Sequence, residues 1–285
     1  MWSRLQPATG ASAPVPERRL KPPSQAKARS TLVVNADDFG FTRDVNQGII
    51  EAHQRGILTA TTLMATGAAF DDAVRLAREN PSLDVGCHLV LVGTAPYPPT
   101  VAKLIPAVML GRIRVYDELA AQVRRILDAG LKPTHLDTHK HTHLLPSVLD
   151  AVARISEEFR IPWVRRPFDF PGQPGGVVGR NRVMRAASGR FSRVLGRHGC
   201  RSTDHFSGFG VTGNYSAEYL VKLIGALPEG STEFMCHPGI CGDELRSART
   251  RLKESRQREL EALTDPAVRE AIEKAGVRLS SYRDL

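Results

Sequence analysis

Short apolar, β-branched runs alternate with helix-like segments over about 250 residues of this chain, and that rhythm constrains its fold more than any other feature. The first run, Thr31-Leu32-Val33-Val34-Asn35-Ala36, reads as a buried strand. Further strands are expected over 58–64, 85–92, 134–138, 161–165, 233–236 and 277–280. Helices are expected over 44–55, 71–80, 117–129, 147–159, 216–226 and most of 247–275. Ala73, Val74, Leu76 and Ala77 share one helical face, while Gly56 and Pro81 act as stops. None of these expected strands runs into a GxGxxG or GxxxxGK[ST] phosphate loop, and the one GxGxxG spacing, Gly208 to Gly213, follows none of them. The alternation therefore favours a single α/β domain over 31–285, its parallel sheet closing into a (β/α) barrel, with a basic helical insertion at about 170–210.

Charge narrows the partners. The formal net charge is +9, but the surplus sits in two places. Residues 1–30 carry six basic groups against Glu17, and residues 170–201 carry seven arginines and no acid. The rest of the chain is slightly acidic, and only 6% of residues are aromatic, so nucleic-acid binding is not expected. The first 30 residues, with Pro7, Pro14, Pro16, Pro22 and Pro23, read as a disordered tail without the apolar core of a secretory signal. No apolar stretch approaches the roughly 18 to 20 residues of a membrane span. Cys87, Cys200, Cys236 and Cys241 are scattered, which fits small buried hydrophobes in a reducing cytoplasm.

Polar residues fall where a barrel enzyme needs them, at the C-terminal ends of the expected strands. Asp37-Asp38 closes the first strand, with side chains expected in opposed directions; as an alternative, aspartate there caps a helix. His88 stands in the apolar run Val85-Gly86-Cys87-His88-Leu89, where a buried imidazole needs a partner. His237 precedes the turn Pro238-Gly239. The richest segment is Thr134-His135-Leu136-Asp137-Thr138-His139-Lys140-His141-Thr142-His143. While it stays extended, its odd-numbered members share one face, which is a poor way to build a dry core and a good way to build a metal or acid–base site. Residues two apart on a strand are roughly 6.6 Å apart, whereas ligands converge at about 2 Å on an ion. One or two of the histidines therefore bind, and the others orient or hydrogen-bond. His53, His198 and His205 lack such a context.

In Val34 through Gly40, Gly86 through Leu89, Pro133 through Pro146 and Met235 through Gly239, the chain resembles the YdjC-like family of carbohydrate deacetylases, which includes chitooligosaccharide and hopanoid-biosynthesis types. The resemblance spans 31–285 and implies a distorted TIM-type barrel that removes acetyl groups from N-acetylated sugars. It implies a divalent metal, commonly magnesium, held by Asp38, His88 and His141, with Asp37 as general base and His237 as the acid toward the leaving amine. Two imidazoles favour zinc or another transition ion on ligand preference alone. Barrel and ligands do not by themselves name the leaving group, so a phosphoesterase or another amidohydrolase remains an alternative. A third reading is a membrane-surface module, in which Val183, Met184, Phe191, Val194 and Leu195 between the arginines form an amphipathic helix. The expected partner is a small or lipid-linked amino sugar, with peripheral membrane contact and a homodimer left open.

Overall fold

The opening apolar run forms β1 (Thr31–Phe39), every residue of which is buried. The structure, a computed structural model, describes residues 30–175 and 181–285, and the side chains of all of these except 181–187. The tail expected before residue 31 lies outside them, apart from Ser30.

After β1 the chain alternates: α1 (Arg43–Arg55), β2 (Ala60–Leu63), α2 (Phe70–Glu79), β3 (Asp84–Leu89), α3 (Val101–Met109), α4 (Val115–Asp128) and β4 (His135–Thr138). There follow α5 (Pro146–Phe159), β5 (Trp163–Val164), α6 (Asn181–Arg197), β6 (His205–Ser207), α7 (Ala217–Gly225) and β7 (Ser231–Cys236). The C-terminal part adds α8 (Asp243–Ser247), α9 (Glu254–Thr264), α10 (Pro266–Ala275) and β8 (Arg278–Leu279). Local chemistry sets the ends. Thr42 caps α1 by accepting from the Val45 N–H at 3.2 Å. Asp265 caps α10, whose first residue is Pro266, and left-handed Gly276 ends it.

All strand pairs among the described residues are parallel, in the order β5-β4-β3-β2-β1-β7-β6, with β8 alongside the start of β1. β1 is thus central, flanked by β2 and β7, its nearest and one of its most distant partners in sequence. The sheet curls into a half-barrel with helices outside. Between β5 and β6 there is no continuous ladder. Isolated bridges at Trp163–Arg201 and Asp169–Phe206 span that side. At the barrel floor Tyr282 is buried, stacked on His135 at 4.0 Å between centroids.

Two expectations change. Residues 170–210, read as an insertion, supply α6 and β6, so the alternation continues through them; the short β6 is masked in sequence by its lack of an apolar run. Phe191, Val194 and Leu195 of α6 are buried in the core and are not free for a membrane, while the Val183 and Met184 side chains lie outside the described residues. Helix α3 has no counterpart among the expected elements; Thr100 caps it, although Pro106 lies within it. Among the described residues no helix is long and apolar enough to cross a membrane, and the four cysteines are free.

Candidate active site

Asp37 and Asp38 sit where β1 loses register with β2: Ala36 pairs with Thr61 but Phe39 with Leu63. The extra residue is a bulge, a device that re-aims side chains, and Asp38 takes a positive φ of 70° there. Both carboxylates consequently line one cleft of about 610 Å³ instead of pointing in opposed directions.

His88 on β3 lies in register with Asp137 on β4. Its Nδ1 is 2.7 Å from Asp137 Oδ1 and 3.2 Å from the Thr62 hydroxyl. With Nδ1–H donating to Asp137, the other nitrogen turns to the cleft, 3.2 Å from Asp38 Oδ1 and 3.2 Å from His139 Nδ1. His139 Nδ1 is in turn 3.1 Å from Asp38 Oδ1.

The histidine ladder does not stay extended. β4 ends at Thr138, and 139–144 wind into a 3₁₀ turn in which Lys140 and His141 take left-handed angles. His135 remains at the barrel floor, bonded to Asn35 at 2.9 Å. His139 reaches Asp38. His141 lines the cleft against Phe209, at 4.9 Å between ring centroids, and its Nδ1 is buried without a partner among the described residues. His143 turns inward to the Thr138 hydroxyl and the Arg165 carbonyl, at 2.5 and 3.1 Å. Burial lowers the pKa of His135, His141 and His143, helped by the Arg165 cation, in the case of His143 to about 3. Of the three residues the resemblance implies as ligands, the fold gathers Asp38 and His88, and the third donor beside them is His139.

Two arginines complete the site, and neither was foreseen. Arg165, just past β5 and 2% exposed, forks onto Asp37 at 2.7 and 2.8 Å. It also reaches Asp137 at 2.6 Å and Glu233 at 2.7 Å. Arg256 on α9 pairs with Asp38. One turn along α9, Glu259 accepts from the His237 N–H at 2.5 Å. The His237 Nε2 stands 3.8 Å from Asp37 Oδ2. The hints were slight: Arg165 is a charge at the end of an expected strand, and Arg256 and Glu259 share a face of a helix that also buries Leu260 and Leu263.

Burial pushes the Asp37 carboxyl up, but Arg165, His88 and His237 outweigh it and hold the group far below the usual carboxylate range. Asp38 behaves likewise under Arg256 and His139. Burial disfavours the His88 cation, yet Asp137 overrides this and raises the imidazole to about 10. Asp37, Asp38, Asp137, Glu233 and Glu259 are thus buried around Arg165, Arg256 and a protonated His88, and burial raises the Glu233 carboxyl toward its neutral form. A carboxylate oxygen and two imidazole nitrogens converge within 4.8 Å at Asp38, His88 and His139. That donor set, one carboxylate and two imidazoles, fits a divalent cation that would take the place of the proton on His88 Nε2, and the Asp137–His88 bond has the geometry that orients ligand histidines.

Most of the chain has counterparts among known proteins. A carbohydrate deacetylase of Brevibacillus brevis is 33% identical over 268 residues, covering 89% of this chain and 99% of that protein. One from Geobacillus stearothermophilus is 33% identical over 270 residues, covering 88% and 96%. Among solved structures, an Enterococcus faecalis protein to which cellobiose-phosphate cleavage has been ascribed superposes with a TM-score of 0.73 at 26% identity, covering 90% of this chain and 98% of its own. The model of the family described as YdjC-like protein matches residues 31–274, from the first strand to the last helix and through every residue of the cleft described above, and the chain belongs to that family.

Proposed function

We propose that this protein is a carbohydrate deacetylase that hydrolyses the amide of an N-acetylated sugar with the help of a divalent cation. The observation that carries this reading is the juxtaposition of an ionised carboxylate, Asp37, with the Asp38–His88–His139 donor group and with His237 on its other side. The curated relatives named carbohydrate deacetylases support the substrate class.

Asp38, His88 and a third histidine would hold the cation, which when bound would supply Lewis-acid polarisation of the acetyl carbonyl and lower the pKa of water. The geometry favours His139 as the third donor, and the family resemblance implies His141. Asp37 takes the proton from the attacking water, a general-base step worth roughly 10² to 10⁴-fold. Arg165 keeps that carboxylate ionised and aligned through two hydrogen bonds. Arg256 and Asp137 hold Asp38 and His88 in place. His237, with its backbone N–H fixed by Glu259 and its ring kept neutral by burial, would relay to the leaving nitrogen the proton that Asp37 takes, from a ring nitrogen 3.8 Å from Asp37 Oδ2. Magnesium is the ion implied by the resemblance, whereas the two imidazoles suit zinc or another transition ion.

The test is mass spectrometry and acetate assay of N-acetylglucosamine, chitobiose and an N-acetylglucosamine-bearing glycolipid after incubation with the protein, with and without a chelator. Acetate release that stops on chelation is expected. No release from any of the three, or release indifferent to the chelator, sinks the proposal.

A further inference from the structure

Helix α3 carries an apolar stripe on its outer side. Ala102, Ile105, Pro106, Met109 and the following Leu110 recur at the i, i+3, i+4, i+7, i+8 spacing of one helical face, and all five are exposed. Met109 is 81% exposed, Leu110 64% and Ile105 40%. Among the described residues the other large apolar side chains so open are Leu127 and Val221, each alone and barely past a third. The opposite face of α3 holds buried Leu104, with Val101 and Val108 packed on the core. A helix apolar on both faces has one face to cover, and contiguous exposed apolar surface marks an interaction site.

Charge selects what covers it. From residue 85 to residue 116 the sequence has no acid, whereas exposed Lys103, Arg112 and Arg114 lie in or just past the stripe. Arg114 is engaged by Asp117 at 2.7 Å. A twofold contact with a second copy would set this patch on itself, with Lys103 and Arg112 against like charges. An anionic bilayer satisfies both parts, taking apolar side chains at the acyl boundary and basic ones among its phosphates. We infer that α3 is a peripheral docking surface for an anionic lipid bilayer, into which Ile105, Met109 and Leu110 insert. The same connection carries Gly93 and Thr94 on the rim of the cleft, and the Gly93 N–H bonds the Pro98 carbonyl at 2.8 Å. Docking helix and cleft rim thus belong to one stretch of chain.

The test is co-sedimentation of the full chain with vesicles of phosphatidylcholine alone, and of phosphatidylcholine with phosphatidylglycerol in equal parts. Binding to the anionic vesicles only is expected. Met109→Ser with Leu110→Ser should weaken it at least about tenfold, and Arg112→Ala about fivefold. Equal partition of variants and wild type, or no binding of the wild type to anionic vesicles, overturns the inference. So does self-association of the wild type that Met109→Ser with Leu110→Ser abolishes, which would give the face to a second copy. The partition does not rest on the deacetylase reading. Acetate release from a soluble sugar, measured in parallel on the same samples, reports on that reading alone.

Discussion

Replacing Arg165 by methionine keeps the volume of the side chain and removes its charge from a site 2% exposed. Asp37, Asp137 and Glu233 then lose the cation that each contacts at 2.6 to 2.8 Å. Removing one partner of a buried ion pair costs about 3–5 kcal/mol, and here three carboxylates are stranded, so the upper end applies. Native domains are stable by about 5–15 kcal/mol. With an m-value of about 3 kcal/mol/M, the urea midpoint should fall by about 1.5 M at pH 7. The deficit also has a sign in pH. Despite its burial, Asp37 is held by Arg165 below its ordinary 3.8, so its contribution is present above that pH and lost as pH falls through the folded value. The gap between wild type and Arg165→Met should therefore narrow in acid. Arg165→Lys retains the charge without the fork, and should fold while losing about 10²-fold or more in kcat from misaligned Asp37. An Arg165→Met midpoint within about 0.2 M of wild type, or a gap that widens in acid, would refute the role given to this side chain.

Other outcomes follow from the same geometry. His139→Ala should cost more than about 100-fold in divalent-cation affinity by calorimetry, and His141→Ala less than the 10- to 100-fold of a supporting residue; the reverse order would make His141 the ligand. Asp37→Asn should lose roughly 10² to 10⁴-fold in acetate release while still binding the cation, and unchanged turnover would remove Asp37 as the base. In the metal-free protein, His143 titrates near 3 when folded against an ordinary 6.5, so stability should rise with pH between those values. From pH 5 to 6.5 this one group contributes about 1.6 kcal/mol, and His143→Asn should flatten the urea-derived slope by that amount.

The sequence was most legible where polar residues interrupt apolar runs. Asp37, Asp38, His88 and His237 announce themselves because carboxylates and imidazoles have no business inside short β-branched strands, and the cleft contains or borders all four. The ladder was legible only as far as Thr138. Period-two spacing assumes an extended chain, and the left-handed turn at Lys140 and His141 breaks that assumption, leaving His139 as the ladder member beside Asp38 and His88. The bulge at Asp37–Asp38 hides for the same reason, since register is a property of two strands and not of one. Arg165, Glu233, Arg256 and Glu259 look like surface charges in a linear reading. What makes them central is contact with residues 22 to 218 positions away, which local pattern does not encode.

The central place of β1 has a consequence during synthesis. It is the first of the described strands to leave the ribosome, but one of its two flanking partners, β7, is made nearly 200 residues later. At about 5–20 residues per second, the edge of a strand whose every residue is buried in the finished fold waits about 10–40 s for its neighbour. The nascent chain carries through that interval the kind of open edge on which other strands pair. Slowing translation between residues 40 and 230 should therefore lower the yield of folded protein, and an added excess of a chaperone that holds extended apolar segments should restore it.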